Sequence, residues 1–343
     1  MHSTNRNKKN ASLLMAFLST VTLAGGSAGA AGNLVETTAA DNTEAHLFKP
    51  IVRTGKPKVG LALGGGGARG AAHIGALKVL EEAGIKFDYV TGTSVGSVVG
   101  GLYCAGVHPD EMQYCFESGE VMRKFMTIPL WFRIVAAPAL YVPRLLGAKP
   151  YDGLYKGSAF REYLLRRLPE EDQTIENLPI PFSAVAFNLV DGKPYMIRKG
   201  SLGHAMQASC AVPSLRKPVE IEGHLLSDGG IYCNLPVKQC REMGAEFVIA
   251  INIDQPFDEQ PLETFRKPGS VARRMISWAL YDIDKPQAAL ADVTIHPNTE
   301  GISLLSTKKS DAVRALAAGE KAARDALPEI KEKLKAYMAG TQP

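Results

Sequence analysis

Long apolar runs, charge of one sign and cysteine are all scarce in this chain of 343 residues. The formal net charge is only +4, and no dense Lys/Arg run occurs in its body, so nucleic acid is a poor partner. A modest attraction to anionic lipid surfaces stays open. The five cysteines, Cys104, Cys115, Cys210, Cys233 and Cys240, show no C-x-x-C spacing and no paired histidine. No zinc site is therefore expected, and they read as small buried apolar residues. No internal repeat is visible. The remainder is ordinary globular composition, 45% hydrophobic and 22% charged, long enough for one decorated α/β domain or two small ones.

The N-terminus carries a targeting pattern. Arg6, Lys8 and Lys9 precede a short apolar core, Leu13 to Ala24, and Ala28-Gly29-Ala30 offers small residues for cleavage. The core falls well short of the ~20 residues a spanning helix needs. Residues 1–30 are expected to be a secretory signal and 31–56 a polar leader, which predicts an exported protein, periplasmic or secreted.

From Lys58 the pattern becomes regular. Val59-Gly60-Leu61-Ala62-Leu63 is a short apolar run of the kind found in strands covered on both faces. A glycine cluster follows, and then Ile74, Leu77, Val79 and Leu80 fit a helix ending at Gly84. Phe87 to Thr91 predicts a second strand, and Val95 to Ala105 a helix of small residues. Strand–helix–strand–helix implies a parallel, right-handed start to the sheet. Two hairpins are expected around Asp191-Gly192 and Glu222-Gly223, and further strands over Phe247–Ile253 and Val293–His296. The tail from Lys308 to Met338 reads as helical, interrupted at Pro328. Residues 57–255 are taken as the main domain and 256–343 as a mostly helical extension packed on it. Residues 126–148 are apolar and aromatic but broken by Pro129, Pro138 and Pro143. They read either as an irregular flap over the core or as a lid that meets a membrane surface.

The chemistry concentrates at two glycine-rich turns. Gly92-Thr93-Ser94-Val95-Gly96 is a G-x-S-x-G between an apolar strand and a small-residue helix, where a nucleophile elbow would expose the serine hydroxyl. The Gly64–Gly70 loop satisfies G-x-G-x-x-G from Gly65, so nucleotide or phosphate binding is one reading. The next strand lacks the terminal acid of a dinucleotide site, and Ala71-Ala72 replaces the Lys-Ser or Lys-Thr of a P-loop. An oxyanion hole made of glycine amides is the other reading. A serine nucleophile needs a base. His73, His204, His224 and His296 lack a recognisable setting for it, although His296 comes late enough in the chain to be conceivable, whereas Asp228-Gly229-Gly230 places an aspartate at a strand end. A plain Asp-Gly turn is the alternative there.

Gly65-Gly66-Gly67-Ala68-Arg69-Gly70, Gly92-Thr93-Ser94-Val95-Gly96, Ala208-Ser209-Cys210-Ala211-Val212-Pro213, Asp228-Gly229-Gly230 and Asn234-Leu235-Pro236 occur in one order. Together they resemble the patatin-like phospholipases, closest in look to bacterial members related to the neuropathy target esterase domain. The resemblance spans Lys58 to Ile253. It implies a three-layer α/β/α sandwich with a mainly parallel central sheet. It also implies a Ser94–Asp228 dyad without histidine and an oxyanion hole from the amides of Gly65, Gly66 and Gly67. Arg69 matches a basic loop position that steers a phosphate or carboxylate, with a salt bridge as its alternative. The activity implied is release of fatty acids from phospholipid or lysophospholipid esters. No metal or organic cofactor is implied, and the partners are a lipid substrate and a membrane surface met through 126–148. A catalytically silent lipid-binding module is the remaining alternative.

Overall fold

The computed structural model describes residues 57–127, 146–169 and 173–339. The expected signal 1–30, the leader 31–56 and all but the ends of the flap 126–148 lie outside the described residues. Strand β1 (Val59–Leu63) leads through a 3-10 turn (Gly67–Gly70) into α1 (Ala71–Glu82), and β2 (Tyr89–Thr93) runs directly into α2 (Val95–Cys104). Helices α3 (Pro109–Glu117), α4 (Glu120–Phe125) and α5 (Ser158–Leu165) precede the hairpin of β3 (Phe182–Asn188) and β4 (Lys193–Ile197). Then come α6 (Leu202–Ser209), the hairpin of β5 (Val219–Ile221) and β6 (His224–Asp228), α7 (Val237–Glu242) and β7 (Phe247–Ile251). The chain continues with α8 (Ser270–Ala289), β8 (Val293–Ile295) and α9 (Lys309–Met338).

The sheet order is β5-β6-β3-β2-β1-β7-β8, with β4 also on β3. From β3 to β8 all pairings are parallel, and the β4, β5 and β6 pairings are antiparallel. Alternation along the central strands assigns the two faces. Val59, Leu61 and Leu63 of β1, with Phe247, Ile249 and Ile251 of β7, join the large core with α1, α2 and α9. Ala62, Val248 and Ala250 face the other way, onto Leu235, Val237 and Cys240 around α7 and Ala288 of α8. Helices therefore cover both faces of a mainly parallel sheet, the α/β architecture expected. All five cysteines are buried and unpaired.

The strands expected to end at Ile253 and His296 end at Ile251 and Ile295, and two further differences have a visible cause. The second strand starts and ends two residues later than expected, because Asp88 is diverted to the start of β1. Its carboxylate accepts the Val59 N–H at 2.9 Å and the Lys58 ammonium at 3.0 Å. Helix α9 runs unbroken through Pro328. An interior proline removes one hydrogen bond, but Ala323 and Ile330 on either side are fully buried, so packing holds the helix together.

Residues beyond 255 are built into the sandwich: β8 pairs with β7, and α9 lies along α1. That contact is made by backbone. A methyl at Gly319 would overlap the carbonyl of Ala72, and one at Gly75 would overlap the carbonyl of Leu316. Gly319→Val should therefore destabilise the protein by roughly 1–3 kcal/mol, as overpacked cores do. A urea midpoint equal to wild type would show that α9 does not dock on α1.

Candidate active site

Strand β2 ends on Thr93, and the next residue turns the chain into α2. Ser94 sits at φ 52°, ψ −124°, a strained conformation for a residue with a side chain. Local sterics explain the flanking glycines. A methyl at Gly92 would strike the Gly96 backbone, and one at Gly96 would strike the carbonyl of Leu63. The corner is held by its neighbours: the Ser94 N–H donates to Ser209 Oγ at 2.9 Å, and Ser97 Oγ donates to the Ser94 carbonyl at 2.6 Å. Ser209 in turn donates to Val185 O at 2.6 Å, which ties the elbow to β3.

Asp228 arrives on β6. Thr93 pairs with Val185 of β3, and Asp228 pairs with Ala186, the next residue along. Ser94 Oγ donates to Asp228 Oδ2 at 2.7 Å, and Gly230 N–H donates to Asp228 Oδ1 at 2.8 Å. Burial pushes the Asp228 carboxyl up to about 6, and the Gly230 and Ser94 bonds and the charge of Arg216 only partly oppose it. Its proton affinity is thus matched to accepting a proton near neutral pH.

No histidine bonds to Ser94 among the described residues. His73 is fully buried on α1 with Nε2 2.8 Å from the Gly64 carbonyl, and burial lowers its pKa to about 4. His204 meets Arg161 and His224 meets Asn188. Nor is any group of three or more His, Cys, Asp or Glu side chains arranged to hold a metal among the described residues.

The glycine loop lies against the elbow: a methyl at Gly65 would sit 3.4 Å from Ser94 Cβ. Most of its amides are already engaged. Gly64 N–H donates to Ile251 O, Ala68 N–H to Leu304 O and Arg69 N–H to Gly66 O, at 2.8–3.2 Å. Gly65, expected in the oxyanion hole, donates to the Asn234 carbonyl at 3.2 Å, which removes it from that trio. Gly66 and Gly67, at φ 155° and 57°, keep N–H groups without an acceptor among the described residues. Two free amides suit one developing oxyanion better than the several oxygens of a nucleotide phosphate chain. Of the two readings of Arg69, the geometry is that of the salt bridge. Its guanidinium reaches Asp254 Oδ1 at 3.3 Å and the Ile302 carbonyl at 3.1 Å.

Several residues had no role assigned from sequence. Ser209 and Asn234 stood in recognisable blocks, but their partners are distant in the chain. Asp254, Asp284 and Arg216 had no local signal. Arg216 is 2% exposed, stacked between the rings of Phe125 and Phe160, 4.6 and 4.8 Å from their centroids. Its Nη atoms have no hydrogen-bond acceptor among the described residues.

The chain is similar to several known proteins. A family model described as patatin-like phospholipase matches residues 61–241. The chain is 35% identical to patatin-like phospholipase domain-containing protein 6 of Homo sapiens over 209 residues, 60% of this chain and 14% of that protein. It is 36% identical to an uncharacterized NTE family protein of Mycobacterium tuberculosis over 198 residues, 58% of this chain and 49% of that protein. Lysophospholipase NTE1 of Mycosarcoma maydis is 33% identical over 203 residues, 59% of this chain and 10% of that protein. The chain thus spans half or less of the length of these relatives. Among solved structures, VipD from Legionella pneumophila superposes with a TM-score of 0.46 at 16% identity, covering 80% of this chain and 67% of that one.

The raised pKa of Asp228 has a consequence for stability. The carboxyl ordinarily titrates at 3.8, so the native state binds its proton more tightly than the unfolded state does. The resulting destabilisation is absent below about pH 4, grows towards pH 6 and is complete above it. At its largest it is on the order of 2–3 kcal/mol. Asp228→Asn should therefore raise the Tm at pH 8 and leave it near wild type at pH 4. Equal melting temperatures at both pH values would show that the carboxylate carries no burial strain.

Proposed function

The chain belongs to the patatin-like phospholipase family, and we propose that it is a serine acyl hydrolase that releases fatty acids from phospholipid or lysophospholipid esters. The observation that carries this reading is the 2.7 Å hydrogen bond from Ser94 Oγ to Asp228 Oδ2 at a strained strand-to-helix corner. Ser94 Oγ attacks the ester carbonyl carbon as its proton passes to Asp228. The carbonyl oxygen becomes an oxyanion, held by the free N–H groups of Gly66 and Gly67. Collapse expels the alcohol, which takes the proton back from Asp228 and leaves an acyl group on Ser94. Water then attacks this acyl-enzyme with Asp228 again as base. The fatty acid departs and Ser94 recovers its proton.

Lysophospholipid is favoured within this class by the relative that bears the name lysophospholipase. The membrane contact through 126–148 and the exported location belong to the same proposal. Both would bring the hydrolase to lipid surfaces outside the cytoplasm.

The test compares wild type with Ser94→Ala and Asp228→Asn on phospholipids, lysophospholipids and p-nitrophenyl esters, reading free fatty acid or nitrophenol. Each substitution should lower kcat/KM by about 10³–10⁶-fold. Hydrolysis that survives Ser94→Ala would overturn the proposal. Because the base must be ionised, wild-type kcat/KM should rise with pH through about 6 and level off above it. A profile flat from pH 4.5 to 8 would rule out Asp228 as the base.

A further inference from the structure

One of the routes by which the chain beyond residue 241, where the family match ends, reaches back to the site runs through a peptide group. The carbonyl of Asn234 accepts the Gly65 N–H at 3.2 Å. The N–H of Leu235, on the other side of the same planar unit, donates to Asp284 Oδ1 at 2.9 Å. A peptide plane is rigid, so fixing its N–H direction fixes its carbonyl direction as well. A hydrogen bond accepted by the Asp284 carboxyl also polarises the peptide group and makes its carbonyl a better acceptor for Gly65.

The Asn234 side chain is held by the same acid. Its Nδ2 donates to Asp284 Oδ2 at 2.9 Å and to Asp254 Oδ2 at 3.0 Å, and Asp254 is in turn paired with Arg69 of the glycine loop. The Asn234 Oδ1 is turned towards Gly65 and towards Gly230, where a methyl would lie 3.3 Å from it. Asn234 and Asp284 are 4% and 2% exposed, so water does not substitute for these bonds. Burying an acid this deeply is costly, and burial together with the neighbouring Asp254 raises Asp284 to about 7.

We propose that Asp284 is a positioning residue of the hydrolytic site, orienting the Asn234–Leu235 peptide from which the glycine loop hangs beside Ser94. It touches no reacting atom, and its role rests on the reading of Ser94 and Asp228 given above. Helix α8 thereby takes a part in the site that nothing in its own sequence signals.

The test is Asp284→Asn, which keeps the volume but turns one acceptor into a donor facing a donor. Its kcat should fall about 10- to 100-fold, the scale of a small misplacement at a reacting centre. KM should stay within about threefold, because ground-state binding is untouched. Labelling of Ser94 by an alkyl fluorophosphonate should slow in step with kcat, since its tetrahedral adduct uses the same amides. Amide exchange in a peptide covering residues 64–70 should become faster. Ala288→Gly, which loses a methyl from the same helix without touching Asn234, serves as the control for simple destabilisation.

Unchanged exchange over 64–70 would overturn the inference. So would a fall in kcat that Ala288→Gly matches. Should Asp284→Asn not fold, Asp284→Ser, which withdraws both acceptors by shortening the side chain, gives the same readings. Failure of wild type to hydrolyse esters or take up the probe would instead remove the proposed function, and the exchange measurement would still decide the role of Asp284.

Discussion

A strand has two edges, and β3 serves three partners. Its pairing with β4 runs from Ala184 to Asn188 and fills one edge, so β2 and β6 must share the other. β2 holds that edge as far as Val185 and β6 takes it from Ala186. The handover requires β2 to leave the sheet at Thr93, and the backbone pays for the sharp exit with a positive φ at Ser94. The same handover delivers Asp228 to the register position that Ser94 would have taken had β2 continued. Ser94 and Asp228 are neighbours because one strand replaces another along a shared edge.

The polar groups collected at this junction contrast with the apolar layers beneath it. Asp228, Asp254 and Asp284 are all pushed above the ordinary carboxylate range, mainly by burial, and each accepts directed N–H or O–H bonds. The rest of the sheet gains stability from dense packing of Val, Leu, Ile and Phe side chains. The site works against that gain by holding desolvated carboxylates and a strained serine in place. Such tension is expected where preorganised charge is needed.

Where a function depended on a short stretch of chain, the sequence was readable. The G-x-S-x-G turn is recognisable because its five residues are contiguous, although the carbonyl that excludes a side chain at Gly96 belongs to Leu63 of β1. The β1, α1 and α2 elements declare themselves by local residue pattern, as do the turns at Gly192 and Gly223, both at positive φ. Asp228 could be found because two glycines follow it, although its bond to Ser94 bridges 134 positions. What escaped was set by partners elsewhere in the fold. Gly65 looks like its neighbours in sequence, and only the approach of Asn234 separates its amide from those of Gly66 and Gly67. Arg69 admits a substrate role until Asp254 is placed beside it. Asp284 is one of two acids on its helix, and its neighbour Asp282 looks the same in sequence. Pro328 would break an isolated helix, and tertiary burial on both sides of it decides otherwise.

The glycine loop is finished by some of the most sequence-distant contacts in the chain. The bond from Arg69 Nε to the Ile302 carbonyl spans 233 positions, and that from Ala68 N–H to the Leu304 carbonyl is of similar reach. Closing loops of that size is entropically slow, and native contacts of high sequence separation form late. During folding, the serine corner can be built early from β2 and α2, while the loop beside it waits for the strand and helix at the far end of the chain. The glycine loop beside Ser94 would then be among the last parts of this fold to close.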